Sequence, residues 1–175
     1  MPFLIALVVL VGVLCAVDLV LSVGIIRRLR EHSEALSALG RGPAVMAPAG
    51  SPVGPFTAVT TDGETVSDDA FSGTSTLVGV FSPGCPACAE RMPSFVEAAK
   101  NRAGGRASVL AVLAGREEEV AAERAALEPV ARVVIETSGG GLTRALSVNG
   151  FPAFALVDAS RTVVASGTSM DGLGA

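Results

Sequence analysis

The sequence contains no tryptophan and no tyrosine, and it has one histidine and three cysteines in 175 residues. Each shortage narrows the chemistry available. A single imidazole, His32, makes a Ser-His-Asp relay or a histidine-rich metal site hard to assemble. Three thiols, Cys15, Cys85 and Cys88, are too few for a disulfide framework. Charge is also scarce: Asp, Glu, Lys and Arg make up 17% of the chain, with a balance of −4. An acidic chain without stacking aromatics is a poor nucleic-acid binder, because phosphate contacts need clustered Lys and Arg. What is abundant is apolar. Half of the residues are hydrophobic and the mean hydropathy is +0.56. That excludes a disordered, solvating chain. It also exceeds what one plain soluble domain, the size the length predicts, would need.

The surplus is concentrated at the N-terminus. Phe3 to Ile26 carries one charge, Asp18, and as a helix it reaches about 36 Å, enough to cross a ~30 Å hydrocarbon core. Residues 1–26 are therefore expected to form a single transmembrane anchor. A cleaved signal peptide is the competing reading. Against it, no basic region precedes the run and no small-residue cleavage site promptly follows, and Leu14 does not suit a lipoprotein site at Cys15. Asp18 is either one acid tolerated off-centre or the partner of a cation on another helix, and Cys15 reads as a small packing residue. Arg27, Arg28 and Arg30 follow at once, which by the positive-inside rule places the remainder in the cytoplasm. Residues 27–39 are expected to continue as a juxtamembrane helix with Leu29, Leu36 and Leu39 on one face, as a helix end emerging into water or a short stalk. Residues 40–55, dense in Gly and Pro, are expected to be a linker.

Residues 56–167 read as an α/β domain. Phe56–Val59 and Thr65–Val66, separated by Asp62-Gly63, predict a hairpin, and a short turn is expected around Phe71. Thr76–Phe81 and Ser108–Leu113 are continuous apolar runs, as in strands buried on both faces. Pro86–Arg102 predicts a helix interrupted by Pro93, and Glu117–Leu127 a helix stopped by Pro129. Further strands are expected at Arg132–Ile135, Ala153–Val157 and Thr162–Ala165, with a short helix over Leu142–Ser147. Strands alternating with helices imply βαβ units, closed here by a terminal hairpin. Gly139-Gly140-Gly141 lacks a P-loop lysine and reads as a flexible connection. Residues 168–175 are expected to be a flexible tail.

Cys85-Pro86-Ala87-Cys88 follows a buried strand and the short loop Ser82-Pro83-Gly84, and it opens a helix. The N–H groups and partial positive charge of a helix N-terminus stabilise a thiolate, so Cys85 is the expected nucleophile. Pro86 suits the first helical position, where no donor is needed. Cys88, one turn on, can attack a mixed disulfide formed on Cys85. A zinc site would need two further ligands, and only His32 and Cys15 remain, both outside the domain. Two inert core cysteines are the other alternative. Gly150-Phe151-Pro152 enters an apolar strand, and a proline there marks a bend or bulge.

The order of a buried strand, C-P-x-C opening a helix, Pro93 five residues later, and Gly150-x-Pro152 before a strand and hairpin resembles the thioredoxin fold. Within it the chain is similar to membrane-anchored redoxins of the TlpA/ResA type. Ala47-Pro-Ala-Gly, Gly54-Pro55-Phe56, Asp62-Gly63 and Val66-Ser67 resemble more specifically the MauD-type methylamine-dehydrogenase maturation proteins. The resemblance implies a thioredoxin-like central sheet flanked by helices, after one N-terminal transmembrane helix. It makes Cys85 the attacking and Cys88 the resolving thiol, with Pro152 as a cis-proline facing them. Phe151, Gly84 and Pro86 would border the partner, Phe151 offering backbone groups to an added strand. Pro93 would kink the active-site helix.

The sequence departs from the pattern in three places. Gly84 stands where the family usually has Trp. Gly79 stands where thioredoxins place a buried Asp, so no proton acceptor for Cys88 is evident. The Gly-rich Ser166–Ala175 cannot supply the usual terminal helix. The function implied is thiol–disulfide exchange with partner proteins, fed by a membrane or thioredoxin-type electron donor, with no cofactor or metal. Resemblance places this outside the cytoplasm, where disulfides persist, against the flanking arginines. A peroxiredoxin-like peroxidase is an alternative: Ser82 lies three residues before Cys85, but Val78 stands where a proline is needed. A metal-delivery module is another, though His32 lies outside the domain.

Overall fold

The computed structural model describes residues 44–71 and 73–173, with isolated positions 12, 14, 15, 18, 24, 25 and 28 before them. The anchor expected over 1–26 and the helix expected over 27–39 fall, apart from those positions, outside the described residues. Among the described residues no helix is long and apolar enough to cross a membrane. The chain divides into two compact units, Met1–Pro43 and Ala44–Ala175, and the second holds the sheet.

Strands β1 (Thr57–Val59) and β2 (Thr65–Ser67) form an antiparallel hairpin, followed by a 3₁₀ turn over Asp68–Phe71. Then come β3 (Thr76–Phe81), α1 (Pro86–Lys100), β4 (Val109–Ala114), a 3₁₀ turn over Glu117–Glu119, α2 (Ala121–Leu127), β5 (Arg132–Glu136), α3 (Gly141–Ala145), β6 (Ala153–Val157) and β7 (Val163–Gly167). The main sheet has the order β5-β4-β3-β6-β7. β3, β4 and β5 are parallel, and β6 and β7 each run antiparallel to the strand before them in the sheet.

Every residue of β3 and β4 is buried, because side chains alternate between two covered faces. Val78, Val80, Leu110, Val112 and Val134 meet Val66, Phe71, Leu142 and Leu146 on one face. Leu77, Phe81, Val109, Leu113 and Val133 meet Phe95, Ala99 and Leu127 on the other.

Long-range packing revises several expectations. Residues 44–55 are not a free linker: Met46 and Ala47 are 2% and 4% exposed, and this stretch bonds to loop and strand carbonyls at Ala145, Leu146, Arg161 and Val163. The tail is docked as well, with Leu173 3% exposed in the core beside α1. There it covers apolar surface that a Gly-rich segment still reaches with single Met and Leu side chains. α1 runs unbroken through Pro93, which is exposed. The buried residues Phe95 and Ala99 hold its turns together despite the missing donor. The expected Glu117–Leu127 helix is divided at Val120, whose side chain is fully buried. Gly139-Gly140-Gly141 is not a loose connection either. The Glu136 carboxylate accepts from the N–H groups of Leu142 (3.1 Å) and Thr143 (2.7 Å), and a Cβ on Gly140 would stand 2.4 Å from that carboxylate.

The hairpin turn closes the free edge of β5. Thr60 bridges to Val134 and the Thr61 N–H donates to the Val133 carbonyl at 2.8 Å, which protects the edge from pairing with other chains. Thr60 Oγ1 donates to Asp62 Oδ1 at 2.5 Å. Arg106 pairs with Asp62 at 2.9 Å and also donates to the carbonyls of Glu128 and Ala131 at 2.9 Å each. The Thr60 hydroxyl first, then Arg106, hold the Asp62 carboxyl below its ordinary value.

Candidate active site

The site forms where β3 ends. Ser82, whose hydroxyl donates to the Ala114 carbonyl at 3.4 Å, begins a loop that turns at Gly84. Gly84 has φ +68°, in the left-handed region where a bulky side chain is disfavoured. This is the position at which the family resemblance leads one to expect Trp. Gly115 backs the loop, and a Cβ there would lie 2.8 Å from the Pro83 ring.

Cys85 is the N-cap of α1 and Pro86 follows as the first helical residue. Cys85 and Cys88 are joined as a disulfide, with Cα atoms 5.2 Å apart. The Cys88 N–H donates to Cys85 Sγ at 3.2 Å, and the Cys85 carbonyl accepts from the N–H groups of Cys88 (3.1 Å) and Ala89 (3.2 Å). Once the bond is reduced, that same N–H and the helix dipole favour negative charge on Cys85 sulfur.

The two cysteines differ in exposure. Cys85 is half-buried, and Gly84 and Pro86 beside it are exposed. Cys88 is 2% exposed and belongs to an apolar cluster with Phe81, Phe95 and Phe154. Phe81 meets Phe95 and Phe154 edge-to-face at centroid distances of 5.4 and 5.7 Å, and Phe95 stacks on Phe154 at 5.8 Å. Phe95 also explains Gly79: a Cβ at Gly79 would stand 2.5 Å from its ring. A carboxylate at this position would collide with the ring that occupies the space.

Phe151 and Pro152 reach the same end of the sheet through β6. Ala153 pairs with Val80, so Pro152 stands level with Phe81, from which the cysteine loop departs. The Phe151–Pro152 peptide is cis. Pro152 is buried and Phe151 half-buried, with Phe151 packed against the cores of both faces. On the other flank, Arg116 neutralises part of the acidic turn Glu117–Glu119. The Glu119 carboxylate accepts from the Arg116 backbone N–H at 3.1 Å and from its Nε at 3.0 Å. The Arg116 hydrogen bond is the main cause holding the Glu119 carboxyl below its ordinary value.

The structure thus gathers Gly84, Cys85, Pro86, Cys88, Phe151 and Pro152 at one end of the sheet. The sequence reading missed Phe95, which fills the space under Gly79. The signal was present in the spacing of Cys88, Met92, Phe95 and Ala99, one helical face pointing inward.

Comparison with known proteins agrees with this architecture. The sequence family described as Redoxin matches residues 47–172. Among solved structures, the chain is similar to the thioredoxin domain of a thiol-disulfide oxidoreductase from Bacteroides vulgatus. The two share 22% identity and a TM-score of 0.59 over 71% of this chain and 91% of that one. It is also similar to a thiol:disulfide interchange protein of the thioredoxin family from Chlorobium tepidum TLS, with 22% identity and a TM-score of 0.56 over 72% of this chain and 89% of that one. No curated protein sequence matches the chain.

Proposed function

The chain belongs to the Redoxin family, and on that premise we propose that it is a thiol–disulfide oxidoreductase that exchanges disulfides with partner proteins through Cys85 and Cys88. The observation that carries this reading is the half-buried Cys85 sulfur at a helix N-terminus, accepting the Cys88 N–H, with the buried Cys88 sulfur in bonding range behind it. In the reducing direction the Cys85 thiolate attacks a partner disulfide, and one partner sulfur leaves as thiolate and takes a proton. Cys88, on losing its proton, attacks Cys85 sulfur. The second partner sulfur leaves, and the Cys85–Cys88 bond closes. Two electrons have passed to the partner, and the oxidising direction is the reverse sequence. Phe151, on the strand-end loop beside the pair, supplies backbone groups to which a partner segment adds as a short strand.

The same reading has the domain tethered to a membrane by residues 1–26, supported by their length and apolar character. It assigns the protein to the maturation of a client enzyme, supported by the MauD-like layout of residues 47–67. Electrons come from a membrane or thioredoxin-type donor.

Reduction of insulin disulfides by the purified protein, followed by turbidity, tests the activity: Cys85→Ser abolishes it, and full activity in that variant removes the assignment. A membrane-impermeant thiol reagent applied to intact cells reads the side of the membrane. Labelling of Cys85 places the domain outside, and protection of Cys85 until the cells are opened places it inside.

A further inference from the structure

We propose that the lead-in segment Val45–Ala47 is a positioning element of the redox site, holding from outside the loop that carries Phe151 and Pro152. Composition marks these residues as part of a linker, yet they are wired to that loop by its backbone. The Val45 carbonyl accepts from the N–H groups of Asn149 at 2.7 Å and Gly150 at 3.3 Å, and the Ala47 N–H donates to the Leu146 carbonyl at 2.9 Å.

The loop's own backbone bonds stop short of its far end, where the Asn149 side-chain amide alone reaches back, to the Ser147 carbonyl at 2.9 Å, among the described residues. Ser147 and Val148 are tied back to α3 through Arg144 and Thr143, and Ser147 sits at φ +51°. Asn149 and Gly150, the two residues immediately before Phe151, instead donate their backbone N–H groups to the Val45 carbonyl.

Side chains reinforce the clamp. Met46 is 2% exposed and shares a cluster with Leu146 and Ala153, against which Val45, Val148 and Phe151 also pack. Val45 Cγ1 lies 3.3 Å from where a Cβ on Gly150 would stand. An edge that accepts a partner's main chain must be held to within about half an ångström. Here one wall of that edge comes from a segment about a hundred residues earlier in the chain. The inference rests on the reading of Phe151 as the edge to which a partner strand adds.

The test uses the full chain and two substrates, each assayed well below the unfolding temperature of every variant. A small aromatic disulfide reports the intrinsic reactivity of Cys85 and needs no strand addition. Insulin disulfide needs the edge. Met46→Ala is expected to lower the rate on insulin relative to the small disulfide roughly tenfold, through KM rather than kcat. Met46→Leu keeps the ratio of the natural chain.

A second variant leaves the core intact. Gly150→Ala presses on Val45 and lowers the same ratio about threefold, and adding Val45→Ala restores it. Equal loss on both substrates, an unchanged ratio in Met46→Ala, or a Gly150→Ala effect that Val45→Ala leaves standing overturns the proposal. Failure of the natural chain to react with either disulfide would instead remove the oxidoreductase reading itself.

Discussion

At one end of the central sheet, Arg106 joins Asp62 and the carbonyls of Glu128 and Ala131, and Arg132 lies 3.9 Å from Glu64. At the other, Cys88 shares an apolar cluster with three phenylalanine rings, one of which leaves no room for a side chain at Gly79. The far end is fastened by formal charge, and the Thr60 hydroxyl and Arg106 hold the Asp62 carboxyl below its ordinary value. At the redox end the Arg116–Glu119 pair lies on one flank, and the groups that bond to or point at the Cys85 sulfur among the described residues are a backbone N–H and the α1 dipole. Electrostatic control of Cys85 therefore comes from where the chain turns into α1, and Cys88 is enclosed in an apolar cluster. Charged pairs occur at both ends of the sheet, while packing and backbone geometry surround the sulfur pair.

The comparison can be broken most severely at the redox pair. Under the proposed exchange, Cys88→Ser removes the resolving sulfur while leaving Cys85 to attack. The variant is expected to accumulate mixed disulfides with insulin that survive non-reducing electrophoresis and vanish on adding dithiothreitol. Absence of such adducts would put the attacking role elsewhere.

Next in size is the aromatic wall. Phe95→Ala is expected to cost about 3–5 kcal/mol, and Gly79→Ala about 1–3 kcal/mol through collision with the ring, both read from urea unfolding. Equal stability of Gly79→Ala and the natural chain would mean that Phe95 is free to move aside. Gly140→Ala, which forces the Glu136 carboxylate away from the N–H groups of Leu142 and Thr143, should cost about 1–2 kcal/mol. Disulfide exchange with the small aromatic substrate should be unaltered.

The smallest effect is expected at the far end. The folded Asp62 pKa lies below its ordinary value of 3.8, so its contribution to stability is fully present above that value. It is lost as pH falls through the lowered folded value. Asp62→Asn should therefore be slightly less stable than the natural chain near neutrality, and the difference in urea midpoint should close as the pH falls below the ordinary carboxyl value of 3.8. A gap that widens on acidification would reverse the assignment of Asp62 as an ionised partner.

Much of the domain was legible because its signals are local. Thr76–Phe81 and Val109–Ala114 are apolar without interruption because both faces of a central strand are covered. Pro86 directly after Cys85 marks a helix start, and its N-cap geometry follows from that junction. Other features resisted reading because they depend on partners distant in sequence. Gly79 looks like a missing acid until Phe95 is seen against it. Three successive glycines look loose until Glu136 is found bonded across them.

The N-terminal and C-terminal margins of the domain show the same limit. Pro and Gly density in residues 44–55 correctly indicates an absence of regular structure, but irregular backbone can still be fastened, as Val45 and Ala47 are, by hydrogen bonds to another loop. Leu173 sits in a Gly-rich tail and is nonetheless buried, since one leucine suffices to dock a segment on an uncovered apolar face.

The sequence by itself determined the redox pair, the helix that carries it and the parallel strands behind it, because spacing, capping and periodicity act within a few residues. Only the tertiary structure decided what surrounds that pair: an aromatic ring in place of an acid, a lead-in segment clamping the Pro152 loop, and a docked tail. Those contacts are set by the register of one strand against another, and no local pattern encodes the distance between residues a hundred positions apart.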